Sequence, residues 1–262
     1  MHGRRRVAAA VAIAGLGLSL SGCQVPGTRP DGAETSAIAG VRAPRPSDVY
    51  VELAVAYLQQ GETAVALSKI QQAIANDPDN ADAHNVAGLI RLRLGETAEA
   101  EAEYKAAIAL APSHFYARNA YGAFLCGQKR YAEADEQFQA AIQNPMNTEP
   151  WVARTNAGIC LEEQGDTAGA ERVYREALQA NPRLAPVLLR MARVTVASTD
   201  YQAARGYVQR YLSVAEPTAE ILLLGVQAER ALGEKEAAKK YEKLLRGRFP
   251  DSSEVQRLRE LQ

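Results

Sequence analysis

Six alanines, Ala66, Ala100, Ala134, Ala170, Ala204 and Ala238, recur at intervals of 34, 34, 36, 34 and 34 residues. A period of that length constrains the fold more than any composition. It marks an array of helix-turn-helix units, each too small to bury its apolar face alone and stable only when stacked on its neighbours. With each alanine counted as position 20, the units begin at Ser47, Ala81, Phe115, Trp151, Ala185 and Ala219. Such an array is a docking surface, so the chemistry to look for is recognition rather than turnover.

The other positions keep this register. Position 8 holds Ala54, Gly88, Gly122, Gly158, Ala192 and Val226, small enough for two helices to approach closely. Position 15 holds Gly61, Gly95, Lys129, Gly165, Thr199 and Gly233, where glycine ends a helix in the left-handed region. Position 24 carries a bulky plug in five units, namely Ile70, Tyr104, Phe138, Tyr174 and Val208, but Glu242 in the sixth. Position 27 runs Ala73, Ala107, Ala141, Ala177, Tyr211 and Leu245. Pro78, Pro112, Pro182 and Pro250 occupy position 32, where proline stops the second helix. This pattern resembles the tetratricopeptide repeat over residues 47 to about 250. The resemblance implies an all-α, right-handed superhelical solenoid of six repeats: 47–80, 81–114, 115–150, 151–184, 185–218 and 219–250.

Departures from the pattern locate the unusual places. Repeat 3 has Met146 at position 32, Pro145 one residue early, and two extra residues before Trp151, which lengthens the connector to repeat 4. Repeat 5 has Glu216 at position 32, with Pro217 after it. Repeat 6, with Gly225 at position 7 and Glu242 at position 24, is the least regular unit, as an exposed terminal cap should be. Residues 251–262 read as a short capping tail.

The N-terminus supplies an address. Arg4, Arg5 and Arg6 precede a 14-residue apolar run, Val7 to Leu20, too short to span about 30 Å of hydrocarbon as a helix. A basic start, a short apolar run and small residues before the cleavage point read as a signal peptide, residues 1–22. Leu20-Ser21-Gly22-Cys23 resembles the lipobox of bacterial lipoproteins, which implies lipidation of Cys23, and Gln24 after it implies sorting to the outer membrane. Residues 23–46, rich in proline and glycine and poor in large apolar residues, are expected to form a disordered tether.

Removing residues 1–22 takes the formal charge from −1 to about −4, which argues against a nucleic-acid partner. Cys126 and Cys160 lie in the first helices of adjacent repeats, at positions 12 and 10. In an oxidising periplasm they are a disulfide candidate that would pin repeat 3 to repeat 4, and two small buried thiols are the alternative. His84 and His114 have no cysteine or carboxylate at metal-ligand spacing, and no phosphate loop, nucleophile elbow or zinc motif is present. His84, at a packing position, reads as structural. The acids of Glu162-Glu163 and of residues 96–103 read as solvated helix faces. The chain is therefore expected to be no enzyme, with no metal, no cofactor and no small-molecule substrate.

In tetratricopeptide repeats, positions 2, 5, 9, 12 and 13 of each first helix line the concave face. By that resemblance Val51, Val55, Leu58, Asn85, Leu89 and Leu92 form an apolar strip, followed by a more polar stretch that includes Tyr116, Asn119, Thr155 and Glu162. Two readings of the strip stay open: capture of a partner helix or peptide, and cover by neighbouring helices or by the tether. The lysine/asparagine clamp with which some relatives hold a C-terminal carboxylate is not reproduced here. Lys235, Lys239, Lys240, Lys243, Arg246 and Arg248 make the last repeat basic and read as a solvated face.

Lipobox, tether, six repeats and the two cysteines together resemble the type IV pilus biogenesis lipoproteins of the PilF/PilW pilotin type. The local match is strongest through Tyr121-Gly122-Ala123-Phe124-Leu125-Cys126, Tyr131-Ala132-Glu133-Ala134 and Asn156-Ala157-Gly158-Ile159-Cys160. The resemblance implies a lipid-anchored protein on the periplasmic face of the outer membrane that binds the pilus secretin subunit and promotes its localisation and multimerisation. An envelope adaptor for peptidoglycan enzymes or other envelope machinery would use the same fold and anchor.

Overall fold

The computed structural model describes residues 45–260, and the expected signal peptide, Cys23 and nearly all of the expected tether lie outside the described residues. Among the described residues, thirteen helices follow one another. Six antiparallel pairs come first: α1 (Pro46–Gln59) with α2 (Thr63–Asn76), α3 (Ala81–Arg93) with α4 (Thr97–Leu110), and α5 (Phe115–Gly127) with α6 (Tyr131–Ile142). Then come α7 (Pro150–Gln164) with α8 (Thr167–Ala180), α9 (Ala185–Ala197) with α10 (Tyr201–Leu212), and α11 (Ala219–Ala231) with α12 (Lys235–Arg248). A final short helix, α13 (Ser253–Glu260), buries Val255 and Leu258 against the last pair. Pro46 opens α1 at the first helical position, where its missing N–H costs nothing.

Each turn within a pair is made at position 15. Gly61, Gly95, Gly165 and Gly233 have φ between 80° and 89°, and Lys129 and Thr199 adopt the same left-handed turn at 60° and 61°. A side chain there costs roughly 1–2 kcal/mol, so the two non-glycine turns are held by the packing around them. The second helices end on a residue in extended or near-extended backbone, Asp77, Ala111, Asn181 or Phe249, immediately before a proline. Proline disfavours the helical region for its predecessor, so each stop falls ahead of the ring. Repeats 3 and 5, which lack that proline, have second helices of 12 residues instead of 14.

Packing within each pair follows a size rule. A Cβ on Gly88, Gly122 or Gly158 would come within 2.8 Å of the ring of Tyr104 or Phe138, or 2.3 Å of Tyr174. Glycine at position 8 therefore admits an aromatic sixteen residues later, and where alanine stands there, at Ala54 and Ala192, the plug is the smaller Ile70 or Val208, all fully buried. Repeat 6 corrects the reading of an irregular unit. Its pair has moved back by one residue, so that Gly225 faces the ring of Tyr241 and Glu242 turns outward to Arg230.

The core divides into three clusters. Ala54, Leu58, Ile70, Ala87 and Ile90 fill the first two repeats. Tyr104, Tyr121, Phe124 and Phe138 fill the middle, with ring centroids 5.6–6.1 Å apart among the first three. Leu188, Met191, Ile221, Leu222, Leu245 and Leu258 fill the C-terminal end.

Candidate protein-docking surface

The first helices place the predicted groove residues unevenly. Leu58 is a core residue, 4% exposed. It packs with Ala54 and Ile90, and its carbonyl accepts a hydrogen bond from the Arg93 guanidinium at 3.0 Å, so it does not belong to an open strip. Val51 is half-buried against the same cluster, and Leu92 is half-buried against the aromatic one. Val55 and Asn85 are also half-buried, and the Asn85 Oδ1 is enclosed with no hydrogen-bond partner among the described residues. Leu89 remains open, 39% exposed. Leu89 is thus the most open aliphatic member of the strip, because Leu58, Val51 and Leu92 pack against core clusters and Val55 is half-buried.

Further along, apolar surface reappears at position 2. Tyr116 is 50% exposed and Val152, one repeat on, 39%. They share a recess with Phe115, Asn119, Asn147, Glu149 and Ala153. The Asn119 Oδ1 accepts from the Asn156 amide at 3.0 Å, which holds the polar edge of this recess in place. Sequence reading missed Val152, although Tyr116 occupies the equivalent position one repeat earlier.

The long connector forms the rim. The Asn144 amide donates to the Ser113 carbonyl at 2.5 Å, and the Asn147 amide to the Ala141 carbonyl at 2.8 Å. The side-chain oxygens of the same two residues accept from the backbone N–H groups of Met146 (2.8 Å) and Glu149 (2.9 Å). This bracing presents Met146, 74% exposed, to solvent from an ordered loop. A large apolar side chain on a cross-bonded loop beside a recess is the kind of feature that marks binding surface.

Two of the acids expected to be solvated, Glu162 and Glu101, are instead inter-repeat fasteners. Glu162 accepts from the Tyr174 hydroxyl at 2.8 Å and pairs with Arg190 of the next repeat. Burial first, and then the bond to Glu162, pushes the Tyr174 phenol up. Glu101 takes Lys105 (2.7 Å), Arg130 (2.8 Å) and the Tyr121 hydroxyl (3.0 Å). Lys105 foremost, then Arg130, holds its carboxyl down at about 2. His84 stands between Glu103 (2.7 Å) and the Pro78 carbonyl (2.9 Å), a structural post. His114 caps α5, its Nδ1 accepting from the Ala117 N–H at 3.3 Å while Nε2 meets Asp82 at 2.9 Å, which pulls the Asp82 carboxyl down.

Cys126 and Cys160 face each other on α5 and α7, with Cα atoms 5.7 Å apart and their sulfurs in direct contact. Among the described residues, no three or more His, Cys, Asp or Glu side chains form a group that could hold a metal ion. No described helix is long and apolar enough to cross a membrane.

Known proteins match this arrangement. The tetratricopeptide repeat profile matches residues 51–115, 87–148 and 125–185, and a second tetratricopeptide profile matches 161–224. The type IV pilus assembly protein PilF of Pseudomonas aeruginosa is 29% identical over 209 residues, 80% of this chain and 83% of its own length. The solved PilF structure superposes with a TM-score of 0.73 at 29% identity, over 82% of this chain and 97% of that one. PilW, described as a widely conserved type IV pilus biogenesis factor, superposes with a TM-score of 0.72 at 32% identity, over 82% of this chain and 99% of that one. The tetratricopeptide protein YrrB, at 15% identity and a TM-score of 0.57, shares the fold.

Proposed function

Because the chain belongs to the tetratricopeptide repeat proteins, in the branch of the type IV pilus biogenesis factors PilF and PilW, we propose that it is an outer-membrane lipoprotein that binds the pilus secretin subunit and promotes its multimerisation. The observation that carries this reading is a likeness that runs through nearly the whole of both relatives and over four fifths of this chain. The proposed anchor is a lipidated Cys23, which sets the membrane, while the first-helix surface holds a secretin segment until the ring assembles. Acyl chains contribute about 0.8 kcal/mol per buried methylene, so more than one is needed for a firm hold.

The docking surface in this reading runs from Leu89 across Tyr116 and Asn119 to Val152 and Met146. An exposed aromatic flanked by aliphatic residues and amide side chains suits a short amphipathic segment, whose apolar residues supply the energy and whose backbone meets the amides. The proposed Cys126–Cys160 disulfide keeps repeats 3 and 4 in fixed relation beneath that surface.

The test is co-purification of the secretin subunit from outer membranes. Leu89→Asp combined with Tyr116→Asp should abolish it while helical content stays unchanged, since both side chains are exposed. Cys23→Ser should leave the fold intact and release the protein into the periplasm. Secretin recovered at wild-type yield with the double variant would refute the surface. Recovery of peptidoglycan enzymes in place of secretin would refute the pilotin role.

A further inference from the structure

The charge of the second helices changes sign along the array. α6 holds Glu133, Asp135 and Glu136 and no basic residue, α8 balances Glu171 and Glu176 with Arg172 and Arg175, and α12 holds six basic residues against two acids. The α8 charges close on each other across one helical turn, Arg172 on Glu176 and Arg175 on Glu171, as a solvated face should. Those of α12 do not balance. Both of its acids are taken, Glu236 by Lys239 at 2.7 Å and Glu242 by Arg230. Lys235, Lys240 and Lys243 are exposed and have no ion pair among the described residues. An aliphatic side chain stands among these cations. Ala238 and Leu245 bury one side of α12, and the opposite side carries Lys240, Lys243, Leu244 and Gly247, all exposed, at the i, i+3, i+4, i+7 spacing of a single stripe. Leu244 is 45% exposed. Six residues after the repeating alanine, the other units hold Gln72, Ala106, Ala140, Glu176 and Arg210, so stacking does not call for a leucine there.

We propose that this stripe of α12 rests on the anionic headgroups of a lipid bilayer, with the lysines at the level of the phosphates and Leu244 inserted between them. Clustered cations on an amphipathic helix are drawn to negatively charged lipid, each adding about fivefold to partitioning, and an aliphatic side chain among them adds apolar burial. The exposed ridge of a helix meets a plane along its length, whereas a peptide partner needs a groove. A second copy suits the stripe less well. Its most acidic second helix, α6, already holds Glu133 on Arg130 at 2.6 Å and Asp135 on the Gln139 amide at 3.2 Å. Combined with an acyl chain at Cys23, which rests on the function proposed above, the stripe supplies the second signal that firm membrane attachment requires.

Amine acylation reads the contact. The full-length protein is mixed with vesicles of phosphatidylcholine alone or of phosphatidylcholine with phosphatidylglycerol, treated briefly with acetic anhydride, and its peptides are quantified by mass spectrometry. Lys240 and Lys243 should react about fivefold or more slowly on the anionic vesicles, and high salt should abolish the difference. Lys105 and Lys129, both exposed in other repeats, should react equally on the two lipids. Lys240→Glu with Leu244→Asp should return Lys243 to its rate on neutral lipid while circular dichroism stays unchanged, since both side chains are exposed. Equal rates at Lys243 on the two lipids in the wild type would overturn the proposal. Protection that appears without vesicles and grows with protein concentration would assign the stripe to a second copy and overturn it equally. Recovery of the protein with neutral vesicles reports separately on the anchor, and secretin co-purification on the pilotin role, so each failure is visible by itself.

Discussion

The two ends of this solenoid are built from opposite materials. Repeat 6 is packed with branched aliphatics from Ile221 to Leu224, sealed by Val255 and Leu258, and clamped by Arg205 on the buried Glu229 at 2.5 Å. Repeat 1 relies on Ala54, Ala66 and Ala73 around Ile70 and leaves Val49 and Leu53 open. In an array whose stability is a sum of neighbour terms, one interface at an alanine-lined end is worth less than one at an aliphatic, capped end. Opening should therefore begin at repeat 1, the softest part of the array.

The strongest way to break the contrast is to remove the seal. Leu245→Ala or Leu258→Ala should each cost about 2–5 kcal/mol in urea unfolding, while Leu53→Ala at the open end should cost under about 1 kcal/mol. A Leu53→Ala penalty as large as that of Leu258→Ala would show that the open end is as well covered as the sealed one. Next in size is the sulfur bridge near the middle. With the proposed bond formed, Cys160→Ser should lose about 3–4 kcal/mol for its 34-residue separation, and the two halves should then melt separately in calorimetry.

Smaller effects sharpen the packing rule. Gly158→Ala drives a Cβ to within 2.3 Å of the Tyr174 ring and should cost about 1–3 kcal/mol. Adding Tyr174→Val, which imitates the Ala192–Val208 pair of repeat 5, should recover most of it in a double-mutant cycle. Thr199→Gly, at φ 61°, should stabilise the C-terminal half by about 0.5–1 kcal/mol in the same urea titration, with Lys129→Gly weaker because lysine is not β-branched.

The smallest effect is set by acid. The folded carboxyl of Glu101 titrates below its ordinary 4.5, at about 2, so its contribution is complete above pH 4.5 and lost as pH falls toward 2. Over that window Glu101→Gln should flatten the pH dependence of melting, and an unchanged slope would remove Glu101 from the account.

Whatever repeats with the period was legible in the sequence. The small residue at position 8, the left-handed turn at position 15 and the plug at position 24 all follow from one count, because each contact lies inside a single unit. The displaced pair in repeat 6 escaped, although Gly225 and Tyr241 keep the sixteen-residue separation of Gly88 and Tyr104. A fixed-position template hid what a fixed-separation rule would have found. Leu58 and the Glu162–Arg190 pair were misread for another reason. Their environment is made by a neighbouring unit, and the side of a helix that meets that neighbour depends on the angle between repeats, which a linear pattern does not contain. The connector was visible as a break in spacing, but the asparagine bonds that turn its two extra residues into an ordered shelf were not.

That shelf also gives the protein an internal reporter. Met146 is open to solvent on it, whereas Met191 lies sealed in the core at 0% exposure. A brief oxidant pulse should convert the first to its sulfoxide and spare the second, so their ratio in a mass spectrum reads occupancy at the connector against a built-in standard, without labels.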